Sequence, residues 1–153
     1  MSRAALAKTL GGTGAAAALI ALVAAWEGKS NDPYADLRGI ATVCYGETNV
    51  PMRRYSDAEC REMLAKSLNK YASEVKRLSP RLEGNQLLAA TSLTYNIGSA
   101  AYARSTARRR FNAGDLRGGC EALTWFNRAG GRVIPGLVNR RRAEYRVCIA
   151  DLS

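Results

Sequence analysis

Residues 9–26, TLGGTGAAAALIALVAAW, are an 18-residue run without a charge that ends directly on Glu27. A helix of that length extends roughly 27 Å, just short of a bilayer's hydrocarbon core. The run is mostly Ala and Gly, which gain little from lipid compared with Leu, Ile or Phe. It is a marginal membrane segment, long enough to insert but only weakly held there. Three readings fit it: a cleaved signal peptide with Arg3 and Lys8 as its positive start, a weak permanent anchor, or an Ala-rich core helix. Cleavage near Ala24 or Ala25 would detach the helix that positions Glu27. The favoured expectation is therefore that residues 1–26 stay on the chain and form its first helix, leading to Glu27. Positive charge ahead of the segment holds the N-terminus in the cytoplasm and places the rest outside.

The 153 residues suit one domain, large enough to bury a core. A formal charge of +10 favours polyanionic partners: nucleic acid, anionic lipid, or the carboxylates of a cell-wall polymer. Arginines cluster at Arg104, Arg108, Arg109 and Arg110 and again at Arg140, Arg141 and Arg142; the plain alternative is a solvated helix face. No histidine occurs, which removes Ser-His-Asp and Cys-His catalysis and the usual His-based zinc hydrolases. No metal or other cofactor is expected. Cys44, Cys60, Cys120 and Cys148 lie too far apart for a CxxC site. Their even number, behind a membrane-targeting start, fits two structural disulfides formed in an oxidising compartment.

Beyond Glu27, turn signals at Asn31-Asp32-Pro33 and Arg38-Gly39 bracket short β-prone runs, the clearer at residues 40–45. They predict a small, irregular β-hairpin region. Ser56-x-x-Glu59 reads as a capping box opening a long helix. Its apolar face runs Cys60, Leu64, Leu68, Tyr71, Val75 and Leu78, and Pro80 suits its end. Shorter helices are predicted over residues 85–96, 103–112, 116–127 and 136–152, with Gly98, Gly114, Gly130 and Gly131 between them. The class is α+β: a mainly helical lobe and a small β-hairpin lobe joined by a long helix. On this layout Cys44 ends a strand and Cys60 lies in the first turn of the following helix. Cys120 and Cys148 lie on two C-terminal helices that should pack together. The expected pairs are Cys44–Cys60 and Cys120–Cys148.

Glu27 falls at the C-terminal end of the Ala-rich helix, where the macrodipole disfavours negative charge and so favours a proton-carrying acid. Asp36 lies in a wetter turn that keeps a carboxylate ionised. Two carboxyls in contrasting settings are the minimum equipment for glycoside hydrolysis. Thr42 offers a hydroxyl to hold a water. Singly, each has a plain explanation as an interfacial Glu, a turn Asp and a β-branched strand Thr.

The whole pattern goes further. Glu27, eight residues, Asp36, five residues and Thr42 resemble the Glu-Asp-Thr triad of the phage lysozymes, the muramidase endolysins of glycoside hydrolase family 24. Thr42-Val43-Cys44-Tyr45-Gly46 resembles that family's strand after the catalytic Asp. Tyr95-Asn96-Ile97-Gly98 with Ser105-Thr106 resembles its central helix and following loop. Trp125, Ala129-Gly130-Gly131, Gly136-Leu137 and Arg140-Arg141-Arg142-Ala143-Glu144 resemble its C-terminal signature. An uncleaved apolar segment ending at the acid resembles the signal-anchor-release subgroup.

The resemblance implies a lysozyme-like fold and hydrolysis of the β-1,4 bond between N-acetylmuramic acid and N-acetylglucosamine, lysing a bacterial host. By it, Glu27 is the general acid and Asp36 and Thr42 position the water. Tyr45, Asn96 and Arg141 are expected to bind substrate or support the site. One arginine among Arg140, Arg141 and Arg142 is expected to pair with Glu27, and such a partner opposes the push of the helix dipole, so the two effects leave the net direction open. The family's Gly-His-Thr is replaced here by Gly46-Glu47-Thr48, and Glu47 reads either as an extra carboxylate near the cleft or, the favoured expectation, as a surface salt-bridge partner. The expected partners are peptidoglycan, the inner membrane transiently, and anionic envelope surfaces, but no nucleic acid. The chain is expected to be a monomer, tethered and inactive at the inner membrane, then active in the periplasm. A lytic transglycosylase, needing the Glu without an Asp-bound water, is the enzymatic alternative. A non-enzymatic basic protein is disfavoured because the arginines lack interleaved aromatics.

Overall fold

A computed structural model describes residues 2–152, so Met1 of the predicted anchor lies outside it. The apolar segment is two helices, not the single first helix expected. Helix α1 (Ser2–Leu10) and helix α2 (Thr13–Ala24) meet at 107°. The break is a glycine cap. Gly11 has φ 90°, a left-handed conformation that a side chain resists, and the Gly11 and Gly12 amides both donate to the Ala7 carbonyl. Among the described residues no single helix is long and apolar enough to cross a membrane, but this bent pair together has the length and composition. Leu6 and Leu10 of α1 and Leu19, Ile20 and Val23 of α2 are buried in the main core. The exposed amides at the start of α1 donate to the Glu62 carboxylate, at 3.1 Å from Ser2 and 3.4 Å from Arg3. That anion at a helix N-terminus fastens α1 to the long helix.

The β-lobe follows at once. Strands β1 (Ser30–Ala35) and β2 (Ala41–Cys44) pair antiparallel, with Tyr34 opposite Thr42 and Ala35 opposite Ala41. The register slips between Ser30 and Tyr34, where Pro33 has no amide to give the ladder. Cys44 leaves the strand at φ 58°, and the chain turns back so that Val43 and Glu47 exchange backbone hydrogen bonds. Cys44 is disulfide-bonded to Cys60 in the first turn of α3 (Asp57–Leu78). With Val43 and Tyr55 these two cysteines make the lobe's own small core. Helix α3 opens with the complete Ser56–Glu59 capping box and ends at Leu78, just before Pro80.

Helix α4 (Gly84–Ile97) is the axis of the helical lobe, buried without interruption over residues 86–94. Around it lie α5 (Ser99–Ala103), α6 (Thr106–Asn112), α7 (Leu116–Leu123) and α8 (Pro135–Ile149). The helix expected over residues 103–112 starts only at Thr106, and a separate short helix, α5, precedes it. Ser105 stops α5 and caps α6 by accepting the Arg108 amide. The helix expected over residues 116–127 ends at Leu123, and a two-residue hairpin occupies the space before α8. Its strands are β3 (Arg128–Ala129) and β4 (Arg132–Val133). Gly130 and Gly131, at φ 58° and 78°, make the mirror-image turn that matches strand twist. Helix α8 carries Pro135 in its first turn and is joined to α7 by Cys120–Cys148.

Candidate active site

Glu27 lies just beyond α2, its amide still bonded to the Val23 carbonyl at 3.2 Å. The last turn of the helix therefore fixes its backbone. Its side chain is 27% exposed, and Oε1 stands 3.2 Å from Nη1 of Arg140, which is 6% exposed. Of the three arginines expected near Glu27, Arg140 makes the pair. Arg140 is thus the buried cation against which the Glu27 carboxyl is held.

Asp36 follows β1 and holds the hairpin tip together. Its Oδ1 accepts the Arg38 amide at 2.8 Å and the Ile40 amide at 2.9 Å, an Asx turn that aims the carboxyl. Leu37 beside it is wholly exposed. Thr42, buried on β2, donates its hydroxyl to the Ile40 carbonyl at 2.8 Å. With its proton committed, the Thr42 oxygen is left as an acceptor.

Tyr95 joins the two lobes. Its hydroxyl reaches the Tyr45 carbonyl at 3.4 Å, and its ring meets Tyr71 of α3 edge-on at 5.6 Å. Burial holds the Tyr95 phenol protonated, and the negative charges of Glu27 and Glu47 reinforce this. Both carboxyls therefore face the same tyrosine. Glu47 is not the surface ion-pair partner expected. It is half-buried and accepts a hydrogen bond from Ser67 at 3.0 Å. Desolvation pushes its carboxyl up from the usual range, against the smaller pulls of Ser67 and Lys66.

Arg141 and Asn96 lie behind the site. Arg141 is 1% exposed and donates through Nη1 to Asn96 Oδ1 at 3.0 Å and to the Phe126 carbonyl at 3.1 Å. That position supports the site and keeps Arg141 from touching a substrate. The sequence names Arg140 only as one of three candidates for Glu27 and gives Tyr95 no role. Both stand inside family motifs, but only packing says which neighbour in Arg140-Arg141-Arg142 faces the acid.

A helix-end carboxyl gripped by a buried arginine, with a second carboxyl and a threonine oxygen on the hairpin that follows in sequence, fits a lysozyme-type glycoside hydrolase. The chain belongs to the phage lysozyme family, whose model matches residues 24–144. It is similar to the SAR-endolysin of Pseudomonas phage phiKMV, 37% identical over 153 residues and covering 95% of this chain and 94% of that protein. The SAR-endolysin of bacteriophage PS119 is 35% identical over 127 residues, covering 80% and 76%. Among solved structures, the endolysin from Escherichia coli O157:H7 phage FAHEc1 superposes with a TM-score of 0.76 at 28% identity, covering 88% of this chain and 92% of that one.

Proposed function

We propose that this muramidase cleaves the β-1,4 bond between N-acetylmuramic acid and N-acetylglucosamine in peptidoglycan, with Glu27 as general acid and Asp36 and Thr42 holding the attacking water. The observation that carries the assignment is the Glu27–Arg140 pair at 3.2 Å, which anchors one carboxyl where α2 ends. Glu27 gives its proton to the departing glycosidic oxygen, and Arg140 stabilises the carboxylate left behind. The Asp36 Oδ1 is occupied by two amides, which leaves Oδ2 to accept a proton from water. The Thr42 oxygen accepts a hydrogen bond from the water's other O–H, which stays on the product hydroxyl, and so turns the water's lone pair toward the anomeric carbon.

The apolar pair α1–α2 supports an inner-membrane stage before release to the periplasm. The faces bearing Leu6, Leu10, Leu19, Ile20 and Val23 are those the folded core takes up, so lipid and core compete for one set of side chains. In the membrane the two helices straighten into a single span, and on release they bend at Gly11. The domain works as a monomer, its net charge of +10 drawing it to the anionic envelope.

Replacing Glu27 by Gln tests the assignment. Turbidity clearing of purified cell walls should fall by about 10²–10⁴-fold with the circular dichroism spectrum unchanged. Activity near the parent's in a folded Glu27→Gln protein would remove Glu27 from the acid role.

A further inference from the structure

Arg140 and Arg141 are consecutive in sequence and both buried, at 5% and 1% exposure. Two guanidiniums taken out of water side by side need countercharge. Glu27 supplies some at the edge of the cleft. The rest comes from Glu144, which is 0% exposed and makes no contact with the reacting groups. From α8 its carboxyl meets both arginines, with Oε1 2.7 Å from Arg141 Nε and Oε2 3.7 Å from Arg140 Nε. Arg141 Nη2 donates to Oε2 at 3.1 Å, and Ser92 of α4 donates to the same oxygen at 2.5 Å.

The two arginines are held differently. Arg141 is fixed by Glu144, Asn96 and the Phe126 carbonyl. Arg140 is fixed at one point, through Nη1 on Glu27, while its Nε and Nη2 make no hydrogen bond among the described residues. Its Nε stops 3.7 Å from Glu144, close enough to be attracted and too far to bond. One guanidinium thus stands between two carboxylates.

We infer that Glu144 is a positioning residue: drawing on Arg140 from behind, it limits the grip of that guanidinium on Glu27. The inference rests on the assignment of Glu27 as general acid. The groups involved are few. Glu144 faces Ser92 from α4 and Arg140 and Arg141 on its own helix. Glu27 faces Arg140 from α8 and feels Tyr95 from α4, and Tyr95 is in turn felt by Glu47 from the loop after β2.

The test is the pH dependence of kcat/KM on purified peptidoglycan, measured with the full chain for the parent, Glu144→Gln and Ser92→Ala. Gln fills the space of Glu and can still accept from Ser92. With the rival charge gone, Arg140 falls wholly to Glu27, and the alkaline limb should move about one pH unit lower. Ser92→Ala removes a donor from Glu144 Oε2 and leaves that oxygen to Arg140, so the limb should move the other way by about a few tenths of a unit. Loss of folded protein lowers the height of such a profile without moving its limbs, so a purely structural role would leave both limbs in place. An unmoved limb in active Glu144→Gln overturns the inference. If that variant does not fold, an unmoved limb in Ser92→Ala overturns it instead. Glu27→Gln, run alongside, separates the two claims: full activity there removes the general-acid assignment, whatever Glu144 does.

Discussion

The Ser67 hydroxyl donates to Glu47 Oε1 at 3.0 Å, fastening the loop after β2 onto α3 where a histidine stands in the family pattern. The bond serves a carboxyl that burial pushes above its ordinary value, so folding favours the protonated form of Glu47 more than the unfolded chain does. A carboxyl raised on folding stabilises fully below its unfolded value, and that contribution is lost as pH rises through the folded one. The parent should therefore lose stability relative to Glu47→Gln from about pH 4.3 upward. Below that the two should unfold together. Thermal melts from pH 3 to pH 8 read the difference, and melting curves that stay parallel throughout would refute it.

In the proposed mechanism Thr42 is the water's second hydrogen-bond acceptor, so its hydroxyl matters more than its methyl. Thr42→Val should reduce wall hydrolysis by about 10²-fold, while Thr42→Ser should keep most of it. A water-mediated attack also sets the product. Inverting glycosidases hold their carboxyls about 6.5–9.5 Å apart, against about 5–5.5 Å for retaining ones. The first-formed anomer should be α, read by proton NMR before mutarotation, and a β product would replace the water with a covalent intermediate.

The Cys120–Cys148 bridge closes a sequence separation of 28 residues between two packed helices. Replacing both cysteines by Ser should lower unfolding free energy by about 3–4 kcal/mol, measured by urea denaturation without reductant. An unchanged midpoint would mean that α7 and α8 hold together by packing alone.

Gly14, Ala17 and Ala21 lie on the exposed face of α2. Leucine at these three positions leaves the core untouched and adds lipid affinity of under about 1 kcal/mol per residue. The triple variant should stay in the membrane fraction longer and delay lysis, while its purified soluble form remains as active as the parent. Normal timing would show that weak hydrophobicity does not govern release.

Local signals carried much of this architecture. The Ser56–Glu59 box, the apolar stripe from Cys60 to Leu78 and both disulfide pairs are legible because each depends on neighbours within a few turns or on element order. The bend at Gly11 was missed because an unbroken uncharged run reads as one helix, although Gly11-Gly12 stands inside it. The β3–β4 hairpin was too short to produce an alternation. The choice of Arg140 over Arg141 for Glu27 hangs on the rotation of α8 about its axis, which three adjacent arginines do not encode. Glu47 looked like a surface charge because its burial comes from α3, twenty residues away in sequence.

Two of the four buried residues in the β-lobe's own core are Cys44 and Cys60. A two-stranded hairpin with so little apolar surface is marginally stable by itself. Oxidation therefore contributes to folding what side-chain burial alone cannot. Asp36 and Thr42 ride on that hairpin, so their part of the candidate site leans on the Cys44–Cys60 bond. A single covalent bond thus ties the hairpin that carries Asp36 and Thr42 to the long helix beside it.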